Sequence, residues 1–166
     1  MRIAVLSDIH DNLSGLKKVL ALLPPLHPEI LILCGDLTRP TVLDLCAQLA
    51  LPVHFCLGNC DAPHESALNR AALASGQHSH SRLGTLPTPQ GTIAFTHYPA
   101  EANSLARSGL YRAVFYGHTH RPGASTLSTA HGHCLLANPG DIEGRYGRIG
   151  GLVWDSLSGA VEWVEA

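Results

Sequence analysis

The sequence predicts an α/β fold in a single domain that spans residues 1–166. In the first half of the chain, short apolar runs alternate with segments whose apolar residues recur at helical spacing. This alternation is typical of parallel strands joined by right-handed helical crossovers. In the last quarter, short apolar runs separated by glycine-containing turns indicate antiparallel hairpins. A chain of this length buries a sizeable core without disulfides.

The first predicted strand is the apolar run from Arg2 to Leu6. A helix follows it, with Asp11 or Asn12 as the N-cap and Pro24-Pro25 as the stop. Its apolar residues recur at helical spacing: Leu13, Leu16, Val19, Leu20 and Leu23. We therefore expect a strand–helix unit at the start of the chain.

Two further strands and one helix are predicted before residue 60. The run from Glu29 to Cys34 is almost continuously apolar, which is typical of a strand covered on both faces. Thr41 and Asp44 predict a capping box for a helix from about Val42 to Leu49. The run from Val53 to Leu57 is the third strand.

The segment from Pro63 to Thr88 has a weaker pattern. It contains one predicted helix, at about Glu65 to Ala74, followed by the polar stretch from Gly76 to Ser81. Because few of its residues are apolar, we expect a surface flap and not part of the core.

The alternation of strand and helix resumes after this segment. We predict strands at Gly91 to Thr96 and Ala113 to Tyr116, with a helix around Ala100 to Ser108 between them. The hairpin-like tail then contains four short strands: Thr126 to Leu127, His133 to Leu136, Leu152 to Asp155 and Ala160 to Val164.

Composition narrows the class of protein. The formal net charge is -2 and basic residues form no run, so nucleic acid is not expected as a bulk partner. The N-terminus leads directly into a short strand, which predicts neither a signal peptide nor a membrane span. The five cysteines are odd in number and lack C-x-x-C spacing, which indicates buried thiols in a reducing compartment. We therefore expect a cytoplasmic protein.

Side chains that can bind metal follow five of the predicted strands. His118 and His120 come two residues apart after a strand, so their imidazoles are expected to project to the same side. The full set consists of Asp8, His10, Asp36, Asn59, His97, His118 and His120. Ligands bind at the carboxyl edge of sheets built from strand–helix units, so we expect the set to converge there.

The size of this set predicts two metal ions. A structural zinc site closes with about four ligands and a catalytic one uses about three, fewer than this set supplies. Two cations about 3.5 to 4 Å apart share a bridging carboxylate, generate a hydroxide at neutral pH and clamp both oxygens of an in-line displacement. That chemistry fits phosphoester hydrolysis. Imidazole and carboxylate ligands admit manganese, nickel, cobalt, zinc or iron, and ligand softness does not choose among these metals. We expect manganese.

The motifs resemble, in order and approximate spacing, those of the calcineurin-like metallophosphoesterase superfamily. They are Asp8-Ile9-His10, Gly35-Asp36, Gly58-Asn59-Cys60-Asp61, His97 and Gly117-His118-Thr119-His120. The short chain and the Gly-Asn-Cys-Asp form are similar to its small bacterial and archaeal phosphodiesterase branch. The resemblance implies a sandwich of two mixed sheets flanked by helices, with the dimetal centre at the strand ends.

The resemblance also implies how the ligands divide between the ions. One ion would take Asp8, His10, Asp36 and His120, and the other Asp36, Asn59, His97 and His118, with Asp36 bridging. Asp36, Asn59 and His118 would also act in catalysis. Asp61, the nearest carboxylate in sequence, is expected to orient the imidazoles.

Three positions depart from the family pattern. Many relatives have a histidine that protonates the leaving group where this chain has Cys60, a poor general acid, so either another group supplies the proton or the substrate leaves without one. We expect Cys60 to contact substrate as a thiol that fills the histidine's space, with a covalent nucleophile as the alternative. Tyr98 follows His97 where relatives often continue with Gly-His, and we expect it to line the pocket. Asp141 replaces a common serine and adds an acid near a site that must accept an anion.

Other polar residues complete the predicted site or lie outside it. Arg121 is expected to bind a substrate phosphate bidentately. His78-Ser79-His80 and His131-Gly132-His133 have the spacing of metal ligands, but we interpret them as solvated or turn residues, and His54 as an ordinary surface residue.

We predict a metal-dependent phosphodiesterase acting on a small-molecule phosphoester. A phosphomonoesterase acting on nucleotides is the nearest alternative. A non-catalytic scaffold is a second alternative, because the superfamily includes a retromer-type trafficking subunit. Such a relative would be expected to lack a catalytic histidine, whereas all seven candidate ligands are present here. The resemblance also suggests a homodimer.

Overall fold

Eleven strands and four α-helices form the computed structural model, which describes residues 1–166. The strands are β1 (Arg2–Leu6), β2 (Ile30–Cys34), β3 (Val53–Cys56), β4 (His78–Ser79), β5 (Leu83–Thr88), β6 (Gly91–Thr96), β7 (Ala113–Phe115), β8 (Gly123–Thr129), β9 (Gly132–Asn138), β10 (Gly150–Asp155) and β11 (Val161–Glu165). The helices are α1 (Leu13–Leu22), α2 (Thr41–Ala47), α3 (Glu65–Ser75) and α4 (Pro99–Arg107).

The strands form two mixed sheets. The first has the order β11-β10-β1-β2-β3-β4, in which β1 to β4 are parallel and β10 and β11 are antiparallel. The second has the order β5-β6-β7-β9-β8, with parallel β6, β7 and β9 between antiparallel edge strands. The predicted α/β sandwich of two mixed sheets is confirmed.

Apolar side chains on alternating positions of β1 fill two different layers. Ile3 and Val5 point between the sheets, where they meet Phe95, Phe115 and other buried residues. Ala4 and Leu6 point the other way, into the core that β1 shares with α1, α2 and α3. Helix α4 packs on the outer face of the second sheet. Because both faces of the central strands are covered, their sequences are continuously apolar.

The N-terminal strands agree with the prediction, and one helix cap differs. The Asn12 side chain accepts a hydrogen bond from Gly15 N at 2.9 Å, so the predicted N-cap of α1 is confirmed. The predicted capping box of α2 is wrong: Thr41 is already the first helical residue, Pro40 occupies the cap position, and no side chain caps the helix. Pro40 supplies a φ of -57° that suits a helix start.

The predicted surface flap between Pro63 and Thr88 is also wrong. Leu68 and Ala72 of α3 are buried in the main core, and β4 extends the first sheet beside β3. Strand β5 is an edge strand of the second sheet and alternates exposed and buried residues. Its Pro87 is tolerated because an edge strand does not need every N–H group for the ladder.

The predicted antiparallel tail is divided between the two sheets. Strands β8 and β9 form a hairpin in the second sheet, and β9 also pairs in parallel with β7. Strands β10 and β11 form a second hairpin beside β1. The segment 139–149 between these hairpins therefore crosses from one sheet to the other.

None of the helices combines the length and the apolar character that a membrane crossing requires. All five cysteines are free thiols, four of them buried and Cys60 partly exposed, as the sequence predicts.

Candidate metal centre

The carboxyl ends of the parallel strands in both sheets meet at one edge of the sandwich. Asp8, Asp36 and Asn59 follow β1, β2 and β3, while His97 and His118 follow β6 and β7. The structure brings all seven candidate ligands together at this edge. Asp8, Asp36, His97 and His120 are buried, His10 is partly exposed, and Asn59 and His118 are exposed. The cluster therefore has a buried floor and an open mouth.

Backbone strain is concentrated in the same residues. Five of the seven have a positive φ: Asp8, His10, Asp36, His118 and His120, between 43° and 70°. A non-glycine residue in this region costs about 1–3 kcal/mol and persists only where the surrounding structure determines it. The strand ends are thus held in turns that direct these side chains inward.

Two glycines permit this close approach. A Cβ at Gly58 would lie 2.1 Å from Asp36 Oδ1, and a Cβ at Gly117 would lie 2.0 Å from Ser7 Oγ. Backbone atoms are also too close: Asp36 N would lie 2.7 Å from the first Cβ and the carbonyl oxygen of Cys34 2.8 Å from the second. Glycine is therefore required at both positions for steric reasons.

Asp8, His10 and His120 form one group of donors. His120 Nε2 lies 3.4 Å and His10 Nε2 lies 3.7 Å from Asp8 Oδ1. The rings of His10 and His120 stack with centroids 5.1 Å apart. His10 Nε2 is buried without a hydrogen-bond partner, although it faces the carboxylates of Asp8 and Asp36. An unpartnered nitrogen aimed between two carboxylates fits a cation ligand.

Asn59, His97 and His118 form a second group. Asn59 Oδ1 lies 3.0 Å from both His97 Nε2 and His118 Nδ1, and these two nitrogens are 3.2 Å apart. His97 Nδ1 lies 2.8 Å from the carbonyl oxygen of Cys34 and donates to it, because a carbonyl can only accept. His97 Nε2 is then the ring nitrogen with a lone pair, and it faces the other two ligand atoms.

Asp36 lies between the two groups. Its Oδ2 is 3.4 Å from His10 Nε2 and 3.4 Å from His97 Nε2. Its Oδ1 accepts a hydrogen bond from Cys60 N at 2.8 Å, which fixes the carboxylate plane. One oxygen of a single carboxylate thus faces both sets of donors.

The carboxylate that orients His120 is Asp141, which lies 21 residues further along the chain. Asp141 Oδ2 accepts from His120 Nδ1 at 2.8 Å, and both side chains are almost fully buried. This contact leaves His120 Nε2 free to face Asp8. Glu143 is exposed and lies 3.3 Å from the same Nδ1. No sequence spacing reveals the Asp141 contact, because the two strand ends meet only through the folded sheets.

The prediction that Asp61 orients the imidazoles is wrong. Asp61 is fully buried, and its two oxygens accept the N–H groups of Thr38 and Gly58 at 2.7 and 2.8 Å. Burial raises the pKa of this carboxyl, although the two backbone donors oppose the increase. Asp61 therefore fixes the loops that carry Asp36 and Asn59.

The electrostatics favour a charged carboxylate at the centre. Burial raises the pKa of Asp36, but the interactions with His97, the hydrogen bond from Cys60 N and the charge of His10 together hold the pKa below its ordinary value. The same carboxylate raises the pKa of His97 against the lowering effect of burial. The Asp8 carboxylate raises the pKa of His10. An excess of negative charge thus attracts protons or cations to these imidazoles.

Of the three residues predicted to contact substrate, Cys60 and Tyr98 lie next to the donor groups, whereas the Arg121 side chain lies against Tyr146. The thiol of Cys60 is within 4.8 Å of donor atoms of His10 and Asp36. Burial and the charge of Asp36 raise its pKa to about 11, so the thiol is neutral. The Tyr98 ring lies 6.0 Å from the ring of His118. Arg121 is exposed, and its guanidinium lies 5.4 Å from the ring of Tyr146.

Arg82, which no sequence motif marks, lies near Tyr98. Its guanidinium is 4.3 Å from the Tyr98 ring centroid and 3.2 Å from Glu101. Arg82 directly precedes β5, an edge strand that the sequence pattern did not reveal, so its position next to Tyr98 was not predictable.

A histidine cluster lies away from this centre, on the edge formed by β3 and β4. His54 Nδ1 lies 3.0 Å from His80 Nε2, and the rings of His54 and His78 stack with centroids 4.4 Å apart. Burial, and then the neighbouring imidazoles, lower the pKa of His54 to about 4. His78 is exposed as predicted, whereas His54 and His80 are partly buried.

A carboxylate between two groups of imidazoles, at the shared edge of two packed sheets, is the arrangement of a metal-dependent phosphoesterase. Residues 1–153 match the sequence profile of the calcineurin-like phosphoesterase superfamily domain. The chain therefore belongs to this superfamily, and the predicted family is confirmed.

Several known proteins are similar to this chain. A phosphodiesterase from Methanocaldococcus jannaschii is 24% identical over 146 residues, which cover 87% of this chain and 86% of the relative. A solved archaeal phosphodiesterase matches with a TM-score of 0.89 at 22% identity, over 100% of both chains. The Escherichia coli phosphoesterase YfcE matches with a TM-score of 0.68 at 19% identity, over 99% of this chain and 98% of that one. Vps29 from Chaetomium thermophilum also has a TM-score of 0.68, at 16% identity, over 99% and 94%.

Proposed function

We propose that this protein holds two divalent cations and hydrolyses phosphodiesters of small molecules. The observation that carries the proposal is the position of Asp36 Oδ2, 3.4 Å from a histidine of each donor group. Aspartate is the residue type in this set that can bridge two cations. A single ion could be bound by only one of the two donor groups, which would leave the other group without a metal.

The proposed ligands follow the two donor groups. One cation would be held by Asp8, His10, Asp36 and His120, and the other by Asp36, Asn59, His97 and His118. Nitrogen and oxygen donors suit manganese, which we propose as the resident metal. Asn59 contributes a neutral oxygen, so the site keeps enough positive charge to attract a phosphate anion.

Bound at this place, two divalent cations would supply an activated water at neutral pH and neutralise charge on the phosphoryl group. His118 directs Nδ1 towards Asn59 and His97 and is exposed. Its Nε2 is therefore available to donate a proton to a phosphoryl or leaving-group oxygen. Arg121 is free to pair with the phosphate. Cys60 stays protonated and acts as a weak donor at the mouth, not as a nucleophile.

Two features favour diester hydrolysis at a catalytic site. The sequence relative in Methanocaldococcus jannaschii and one of the similar structures are described as phosphodiesterases. All seven donors are present and face one another, which a scaffold that served only protein contacts would not require. We further propose that the protein is cytoplasmic, that it has no bulk nucleic-acid partner and no membrane partner, and that it forms a homodimer.

The proposal is tested by comparing bis-p-nitrophenyl phosphate with p-nitrophenyl phosphate as substrates. Metal-stripped protein would be assayed with manganese, nickel, cobalt or zinc added, and with no metal added as the control. We expect metal-dependent cleavage that favours the diester. Cleavage of the monoester alone would assign the site to a phosphomonoesterase. A cleavage rate that is the same with and without added metal would overturn the proposal.

A further inference from the structure

A second concavity opens directly beside His120. It has a volume of about 510 Å³, within the range of about 300–1,000 Å³ that is usual for small-molecule sites. It lies between the segment 139–149 and the adjoining ends of β10 and β11. We call it the aromatic pocket; its lining includes His120, Pro139, Tyr146, Arg148, Trp163 and Glu165.

Two large aromatic side chains are exposed in this pocket. Tyr146 is 57% exposed and Trp163 is 47% exposed, whereas Trp154, the other tryptophan, is 1% exposed. Single apolar side chains on a surface need no explanation. Two exposed aromatic side chains that line the same concavity indicate a binding surface, because aromatic faces gain from stacking on a planar ligand.

The pocket is continuous with the proposed metal centre. His120 lines it, and the Nε2 of the same ring lies 3.4 Å from Asp8. Arg121, the next residue, places its guanidinium 5.4 Å from the Tyr146 ring. A phosphate held by Arg121 would therefore have an aromatic surface next to it.

The polar groups of the pocket suit a ligand with an aromatic body and polar edges. Arg148 and Glu165 form an exposed pair at 3.4 Å on the pocket wall. Such a pair is weak in water, so a ligand can replace it at little cost. Together they offer hydrogen-bond donors and acceptors to the edge of a ring stacked on Trp163.

We propose that the aromatic pocket binds a planar aromatic group, either an aryl ring or a nucleobase, on the ester arm of the phosphodiester that is not cleaved. This inference rests on the proposed function, because it places the phosphate at the metal centre. Tyr146 and Trp163 would then determine specificity, without taking part in bond breaking.

The test uses three diesters of p-nitrophenol, whose second ester group is methyl, phenyl or thymidin-5′-yl. All three release the same leaving group, so differences in KM report on the second group. We expect KM for the phenyl or thymidinyl ester to be about tenfold lower than for the methyl ester. The better of the two distinguishes an aryl ring from a nucleobase. Equal KM values for all three would overturn the pocket and leave the phosphodiesterase assignment intact.

Variants identify the surface that is responsible. Trp163→Ala and Tyr146→Ala should each raise KM for the preferred aromatic ester about tenfold, with kcat and the methyl ester unchanged. Leu157→Ala is the matched control, because Leu157 is 74% exposed in the turn between β10 and β11 and does not line the pocket. An equal effect of the control, or no effect of either aromatic substitution, would overturn the proposal.

Binding can be measured without turnover. Since Trp154 is buried, quenching of the solvent-exposed tryptophan emission reports on Trp163. We expect phenyl phosphate or thymidine 5′-monophosphate to quench this emission in a saturable manner, and methyl phosphate to leave it unchanged. Quenching without hydrolysis of any ester would retain the pocket and reject the proposed function. Absence of quenching by both aromatic probes would reject the pocket.

Discussion

The contact between Asp141 and His120 gives the most specific prediction about the site. Asp141 Oδ2 and His120 Nδ1 are 2.8 Å apart, and both side chains are almost fully buried. Asp141→Ala removes the acceptor that fixes the tautomer, so His120 Nε2 no longer reliably presents a lone pair next to Asp8. A hydrogen bond to a charged group contributes about 1.5–3 kcal/mol. We therefore expect the dissociation constant of the ion held by His120 to increase about 10- to 100-fold, and that of the other ion to change little.

Calorimetric titration of manganese into metal-stripped protein measures this change for each ion. Glu143→Gln is the matched control: Glu143 lies 3.3 Å from the same Nδ1, but its side chain is 40% exposed. Exposed ion pairs contribute about 0–1 kcal/mol, so this variant should weaken binding less than about fivefold. Asp141→Ala also removes the hydrogen bond that Arg145 N donates to Asp141. Thermal unfolding of the metal-free proteins measures how much stability this loss costs, independently of ion binding.

Unchanged manganese affinity in Asp141→Ala, with the metal-free fold intact, would refute the orientation argument. A larger effect of Glu143→Gln than of Asp141→Ala would assign the orienting role to the exposed carboxylate.

Three further perturbations follow from the structure. Cys60→Ser should retain most of the turnover, because a thiol with a pKa of about 11 is neutral and is not the nucleophile. Gly117→Ala should lose metal and activity together, because its Cβ would lie 2.0 Å from Ser7 Oγ. Acid should destabilise the fold through His54, whose pKa is lowered to about 4 by burial and by two neighbouring imidazoles. Below about pH 6.5 His54 binds a proton in the unfolded chain but not in the folded chain. The free energy of unfolding therefore decreases as the pH is lowered from about 6.5 to about 4. After allowance for partial exposure, the loss between pH 7 and 5 is about 1 kcal/mol.

Steady-state kinetics, metal analysis and urea unfolding check these three predictions in turn. A large loss of kcat in Cys60→Ser would indicate covalent catalysis. A metal-loaded, active Gly117→Ala protein would show that the strand ends are not packed as described. For the last prediction, His54→Asn should remove part of the acid-dependent loss, and an unchanged slope between pH 7 and 5 would reject the linkage.

The strands of the first half and the residues at their ends were predictable from sequence. Strands β1 and β2 are covered on both faces, so their apolar runs are unbroken and short. Each run ends in a polar residue that has to leave the core at the carboxyl edge. Local pattern therefore determines both the strand and the position of Asp8 or Asp36.

The edges of the sheets and the surroundings of the ligands were not predictable. Strand β5 contains Gly84 and Pro87, residues that usually indicate a loop, and only pairing with β6 makes it a strand. Asp141 orients His120 through a contact that exists only after β9 has joined the second sheet and segment 139–149 has crossed to the first. Such contacts depend on tertiary arrangement, which spacing along the chain does not encode.

The most direct test of the account is the metal content of the protein and of Asp36→Asn after reconstitution with manganese. Metal content and turnover of bis-p-nitrophenyl phosphate would be measured on the same samples. The account predicts two ions per chain and metal-dependent diester cleavage in the unaltered protein. It predicts fewer than two ions and no turnover in Asp36→Asn, because the shared carboxylate is lost. A single ion per chain in the unaltered protein, or full activity in the variant, would contradict it.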